Sequence, residues 1–492
     1  MPVFTCFRIG GKTLKAYERF ISKNDILKIH ENSLDILQTV GMEFDHNEAC
    51  EVFKKHGAKV DGHKVYIPRK MVEDALKLAK PSFEYTSHKC TKTVGKGSKL
   101  FVPLAGYIYN NDHGKIRKCT NRDYVNQFIL SETSDVINVS NCNFMIETDH
   151  LTDAQRRFGS IAIMLRYSKK MTLFIRPNPL KDPAEKMRAI CRELFQFTRR
   201  FEGVSKDKIC GLGLTTTLTP LSMHFAPVEM IFTCCEENQA LLITSVPMPK
   251  MTVPGSMAGE LAVSNAEVLG GYVLAKLLNP EVAVVYGNTP ASANLHTLQL
   301  SIGSAETALG VYATAGLADL YNLPFRTGGS LADSKTCDFQ AGCETTLITQ
   351  ATVDADTDVI LHGAGCLGQF NVGSAEKFVL DEDVIRYALR IREGINCEDK
   401  RFCRDEIEKI GPKGSFLMGR TPKMFREEFV VPHLFNKEDP LSWQNNGNKD
   451  ILEAAREHIK KRIEAFTPPD ITKEQQKILE PYLPSEFKER IN

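Results

Sequence analysis

L-P-F-R-T-G-G-S-L-A-D-S-K (323–335) and, one helix length later, D-V-I-L-H-G-A-G (358–365) decide how this chain reads. Each is a short β-prone run that breaks at once into glycine. Between and after them lie charges and one histidine, through D-F-Q-A-G (338–342) to E-K-F-V-L-D (376–381). This is the pattern of two successive strand-to-loop junctions at a working face rather than of plain core. Working outward, similar runs occur at 99–103, 137–142, 171–175, 208–214, 240–246 and 282–286. With 323–327 and 358–362 they number eight, and from the second onward their starts lie 32–42 residues apart. Most gaps hold an amphipathic segment of helical length, such as 182–201, 261–278, 304–320 and 340–353. Strands alternating with helices at this spacing indicate βα units and a parallel sheet. Eight such units predict an α/β fold, a (β/α)8 TIM-type barrel. The first strand has a competing reading, because N-N-D-H-G (110–114) is a turn signal and 99–118 also reads as a hairpin.

Flanking segments differ. Residues 1–95 predict a helical N-terminal extension, with helices starting near Asp25, Asn47 and after Pro68. Residues 96–380 hold the barrel. Residues 381–492 turn to charged helices (384–393, 451–466, 471–483) and predict a helical extension packed on it.

The 492 residues are 42% hydrophobic and 25% charged with net charge +1, which describes a globular chain with no pull toward nucleic acid or an anionic membrane. No apolar window approaches the roughly 20 residues of a membrane span, and no signal peptide is read. The 14 cysteines are scattered, with no C-x-x-C and no zinc-finger spacing to histidine, so reduced thiols in a cytoplasmic protein are expected and no metal is assigned.

In a (β/α)8 barrel the site lies at the C-terminal strand ends. Those ends offer amides, hydroxyls, aromatics, one arginine and one histidine, but no carboxylate cluster. There is no G-x-S-x-G elbow. His362 is the one histidine at a predicted strand end. Arg326 lies inside a run. If it points inward it needs an anion, either a substrate carboxylate or a structural Asp333 or Asp338. Lys335 and Gln340 share the following loop and helix start, where polar groups can reach a ligand or simply cap and solvate. Gly363 to Gly368 fit G-x-G-x-x-G with Asp381 and Asp383 about 20 residues on. This opens an alternative, an NAD(P)-linked oxidoreductase, although a dinucleotide fold places that motif at its first strand.

Successive blocks carry a resemblance over essentially the whole chain. They are N-A-E-V-L-G-G-Y-V-L-A (265–275), V-V-Y-G (284–287), I-G-S-A-E (302–306), G-G-S-L-A-D-S-K-x-x-D-x-Q-A-G-x-E (328–344), L-H-G-A-G (361–365), E-K-F-V-L-D (376–381), H-L-F-N (433–436) and G-N-K-D-I-L-E-A-A (447–455). Together they resemble the trimethylamine methyltransferase (MttB) family, specifically its pyrrolysine-free branch. The resemblance implies a (β/α)8 barrel that moves a methyl group from a quaternary amine of the glycine betaine, proline betaine or carnitine type to cob(I)alamin. The cobalamin is carried by a cognate corrinoid protein, with no cofactor held tightly by the chain itself. It implies an ammonium cage, for which Tyr107, Phe144, Phe174 and Phe339 are the candidates. It also implies a carboxylate anchor from His362 and Arg326, with Gln340 orienting the substrate and Lys335 nearby. A homo-oligomer is expected. A non-catalytic quaternary-amine-binding protein on the same barrel is the remaining alternative. C-L-G-Q-F-N-V-G (366–373) departs from the expected pattern in a loop that should border the pocket.

Overall fold

Six of the eight runs are strands. In chain order they are β1 (Leu100–Phe101), β2 (Leu212–Thr216), β3 (Ala240–Ser245), β4 (Val284–Asn288), β5 (Phe325–Gly328) and β6 (Val359–Leu361). They form one parallel sheet in the order β2-β3-β4-β5-β6-β1, so the first strand lies beside the last. The computed structural model describes residues 7–9, 12–141, 143, 147–175, 184–417, 419–484 and 487. The other two runs make isolated parallel bridges. Val139 bridges Met171, and Phe174 bridges Leu212. The Val139 amide donates to the Phe101 carbonyl at 3.3 Å, and the Leu212 amide to Leu173 at 2.7 Å. The architecture is a mixed α/β fold built on a parallel half-barrel sheet.

Strand boundaries sit about two residues later than expected at β4 and β5, and β2 is displaced in the same sense. The cause is burial. Every residue of β4 and β5 is buried, so the run has no polar alternation to mark where pairing starts. Val282 and Leu323, 1% and 7% exposed, extend the apolar run without joining the ladder. The hairpin reading of 99–118 holds beside the strand reading. β1 ends at Phe101, and Tyr109–Asp112 pairs with Lys115–Lys118 through His113 (φ 51) and Gly114 (φ 84). The N-terminal extension is less purely helical than the periodicity predicts. Between its helices, Met42–Phe44, Lys59–Asp61 and Lys64–Tyr66 join Ser222–Met223 in a second small sheet. Strands of three residues are too short for an alternation to show.

The helices that follow β3, β4, β5 and β6 start on side-chain caps. Ser256, Ser304, Asp338 and Ser374 accept from the amides of Gly259, Thr307, Ala341 and Lys377, each contributing about 1 kcal/mol. Contrary to the expectation from sequence, Met257–Leu278 is long and apolar enough to cross a membrane by length and composition, and 83% of its apolar window is buried in the fold. At the C-terminal side, Ala455 of the Ile451–Glu464 helix is fully buried, and Arg462 bonds Glu382 of the Ala375–Glu393 helix at 2.7 Å.

One buried ion pair ties the loops after β5 and β6 together. Lys377 and Asp381 lie one helical turn apart, with side chains only 3% and 4% exposed and Nζ–Oδ2 at 2.7 Å. Asp381 also accepts from the Gly365 amide at 2.8 Å and from the Ser330 hydroxyl. Lys377 reaches Thr345 Oγ1 at 2.6 Å and Ser330 Oγ at 3.1 Å. Replacing Lys377 by Met leaves Asp381 buried without its cation and lowers unfolding stability by about 3–5 kcal/mol. The double variant Lys377→Met, Asp381→Leu recovers part of that loss. Urea unfolding of both checks the pair, and an unchanged midpoint in the single variant contradicts it.

Candidate active site

A cavity of about 290 Å³ opens at the C-terminal ends of the strands. Thr216 of β2, Thr244 of β3, Thr289 just past β4, Arg326 of β5 and His362 just past β6 all line it. Phe174, Leu300 and Phe370 supply apolar wall.

Arg326 dominates its electrostatics. Its register partners are Gly287 on β4 and Val359 on β6. Gly287 is bare for a reason. A Cβ there would lie 2.6 Å from Thr244 Cβ and 2.8 Å from the Ile243 carbonyl oxygen. The residue is 3% exposed. Its Nη1 donates to Thr289 Oγ1 and, at 3.4 Å, to Thr244 Oγ1, while Nε has no partner among the described residues. Burial alone pushes its pKa down to about 9, and no carboxylate among the described residues opposes that shift. Both aspartates that could have neutralised it are engaged elsewhere. Asp333 accepts from Ser301 Oγ at 2.5 Å and the Ile302 amide at 2.9 Å, holding the chain that returns from β4. Asp338 caps the Phe339–Asp354 helix through the Ala341 amide at 2.9 Å. The cavity therefore holds a desolvated positive charge with hydroxyl contacts and no counter-ion among the described residues.

His362 has a left-handed backbone, φ 56, and its carbonyl accepts the Ser330 amide at 3.0 Å. The loops after β5 and β6 touch closely here, since a Cβ on Gly329 would lie 2.9 Å from Gly363 Cα. The His362 ring meets Phe370 at a centroid distance of 4.6 Å.

Of the residues singled out from sequence, the structure brings Phe174, Arg326 and His362 to this cavity. The others lie elsewhere, and Phe144 falls outside the described residues. Tyr107 is 3% exposed, donates its hydroxyl to Gln127 Oε1 at 2.5 Å and stands edge-on to Tyr124 at 5.3 Å. Phe339 is 88% exposed and borders a separate apolar groove with Ile391 and Phe435. Gln340 is exposed and donates to Glu344 at 2.7 Å. Lys335 is exposed and turns back to the Asp333 carbonyl at 2.7 Å. Thr244, Thr289 and Phe370 escaped the sequence reading. Thr289 would have emerged from the correct end of β4, and Phe370 sits in the loop whose departure from the expected pattern was already visible. The G-x-G-x-x-G stretch lacks a dinucleotide context. After Gly365 the chain pairs Cys366–Leu367 with Val372–Gly373, and the next helix starts at Ala375.

The chain matches the family description Trimethylamine methyltransferase (MTTB) over residues 11–489. It is 33% identical over 484 residues to the proline betaine:corrinoid methyltransferase of Eubacterium limosum, covering 96% of this chain and 98% of that one. It is 32% identical to the L-carnitine:corrinoid methyltransferase of the same organism, covering 95% and 98%. It is 35% identical over 438 residues to the glycine betaine methyltransferase of Desulfitobacterium hafniense (strain Y51), covering 88% and 90%. Among solved structures, the hydroxylamine complex of MtmB aligns with 91% of this chain and 94% of that chain, at a TM-score of 0.48 and 11% identity. A match that runs nearly end to end, with relatives above 30% identity at almost full coverage, places the chain in the trimethylamine methyltransferase family.

The loop carrying Thr289 is held from behind by Glu260, which is 1% exposed and accepts the Ala291 amide at 3.0 Å. Burial pushes the Glu260 carboxyl up to about 7, against the partial opposition of that amide. The folded chain thus keeps a proton that the unfolded chain releases near pH 4.5. The contribution to stability is complete below that pH and is lost as the pH rises to about 7. Glu260→Gln keeps the acceptor and removes the titration. It is expected to exceed the parent protein by about 3 kcal/mol at pH 8 and to match it near pH 4.5. Urea unfolding at the two pH values measures this, and an equal difference at both contradicts it.

Proposed function

We propose that this protein transfers a methyl group from a carboxylate-bearing quaternary amine to the reduced corrinoid of a partner protein. The observation that carries the reading is Arg326, a buried guanidinium facing a cavity with no acidic group to neutralise it among the described residues. A buried charge without a partner is costly, and a ligand carboxylate at Arg326 turns that cost into a charge-assisted contact. His362, in the same cavity, is assigned as the second contact to the carboxylate. The aromatic and apolar walls suit a cationic quaternary nitrogen, which has no proton to donate. The relatives named for proline betaine, carnitine and glycine betaine support the same substrate class. All three of those compounds carry a carboxylate.

The chemistry asks little acid–base work of the protein. The methyl carbon–nitrogen bond breaks with its electron pair left on nitrogen, which becomes a neutral tertiary amine without protonation. The reduced corrinoid of the partner is the co-substrate and supplies the electron pair for the new bond to the methyl carbon. The tasks left to this chain are to bind, orient and desolvate. The open end of the cavity is where the partner has to approach. We further infer that the sheet closes into a (β/α)8 barrel. The adjacency of β6 and β1 supports this, as do the bridges at Val139 and Phe174 that span the gap from β1 to β2.

The test is anaerobic incubation with a reduced corrinoid and a panel of amines, followed by absorbance. Glycine betaine, proline betaine or carnitine should be demethylated, and choline, which lacks the carboxylate, should not. Arg326→Met should lower kcat/KM by on the order of 100-fold, the worth of a charged hydrogen-bonded anchor, while raising the unfolding temperature because a buried charge is gone. Choline turned over as well as the betaines, or an Arg326→Met variant with full activity, overturns the reading.

A further inference from the structure

The turn at 368–371 has a backbone that folding alone does not ask for. Gly368, Gln369 and Phe370 have φ of 51, 54 and 70, three left-handed residues in succession, two of them with bulky side chains. Each left-handed residue bearing a Cβ costs on the order of 1–2 kcal/mol, and isolated residues rather than runs ordinarily take this conformation. Strain of this kind persists only where the surroundings over-determine it, and it gathers at ligand sites. The surroundings here do so. The Asn371 amide closes the turn on the Gly368 carbonyl at 3.1 Å, and the Gly368 amide bonds the Ser334 carbonyl at 2.9 Å. The Asn371 carbonyl accepts from Ile108 and Tyr109 at 3.2 and 3.0 Å. All of these are main-chain bonds, so they fix the path of the turn whatever side chains it carries. What the turn delivers is one ring. Phe370 enters the cavity wall against His362, itself left-handed, in the cavity that holds Arg326 and Phe174.

Resting on the reading of Arg326 as a carboxylate anchor, we propose that Phe370 is a specificity-determining residue. Its ring receives the cationic nitrogen of the substrate, and the left-handed turn exists to hold the ring there. An aromatic face attracts a desolvated ammonium through its quadrupole, whereas a tert-butyl group of the same shape gains only packing. Glycine betaine and 3,3-dimethylbutyrate are such a pair. Both present a carboxylate to Arg326, and they differ in the charge at the branched centre.

Titration calorimetry of both compounds against the full chain and three variants tests the assignment. The unaltered protein should prefer glycine betaine by roughly 10-fold. Phe370→Leu should erase that preference, Phe370→Tyr should keep it, and Arg326→Met should weaken both compounds. An unaltered protein that binds both compounds equally overturns the assignment of Phe370 alone. So does a Phe370→Leu variant that keeps the preference, or a Phe370→Tyr variant that binds well without it. An unaltered protein that binds neither compound overturns this proposal together with the carboxylate reading.

Discussion

A guanidinium withdrawn from water, with no opposing carboxylate among the described residues, is the constraint around which the rest of this structure is arranged. Arg326 occupies a β-strand position flanked on both sides by paired strands, which fixes its backbone inside the sheet. Its hydrogen bonds go to threonine hydroxyls from β3 and from the loop after β4, which orient the group but do not neutralise it. The strands around it are held together at both ends by buried carboxylates. Asp358, just before β6, gathers the amides of Gly97, Ser98 and Phe325 and so joins the segment entering β1 to β5 at the opposite end of the sheet. Lys377 and Asp381 do the same for the loops at the cavity end.

The strand rhythm was legible because a βα repeat leaves two periodicities in one sequence, and neither needs a partner to be recognised. What the rhythm does not mark is where pairing begins. In β4 and β5 every side chain is buried, so the apolar run begins before the ladder, and Thr289 slipped past the expected strand end. Side-chain direction was also beyond local reading. Tyr107 and Phe339 both sit near strand-following loops, yet one is drawn into the core by Gln127 and the other opens a helix on its outer face. Phe370 was hidden differently. Its backbone conformation is the kind glycine or asparagine advertises, and a glutamine followed by a phenylalanine advertises nothing of the sort.

Much of the glycine- and charge-rich stretch that drew attention as a working face turns out to be framework. Asp333, Asp338 and Glu344 spend their oxygens on main-chain amides of the 301–304 return, the next helix and the loop itself. Ser330 answers to Lys377 and Asp381. Dense polar sequence here reflects how much hydrogen bonding is needed to hold two loops against each other at Gly329 and Gly363. The groups left to face the cavity are few, and they come from separate strands and loops.

The division between framework and cavity wall has a consequence for how such a protein changes its diet. The tip at 369–371 is fastened to its neighbours by main-chain hydrogen bonds, and Phe370 touches the cavity with a ring that takes no part in the sheet's hydrogen bonding. Substitutions there can resize or recharge the wall while the guanidinium, its threonine contacts and the buried lysine–aspartate clasp stay as they are. A chain built this way can acquire a new substrate in a few steps at one turn, without first passing through a form that folds poorly.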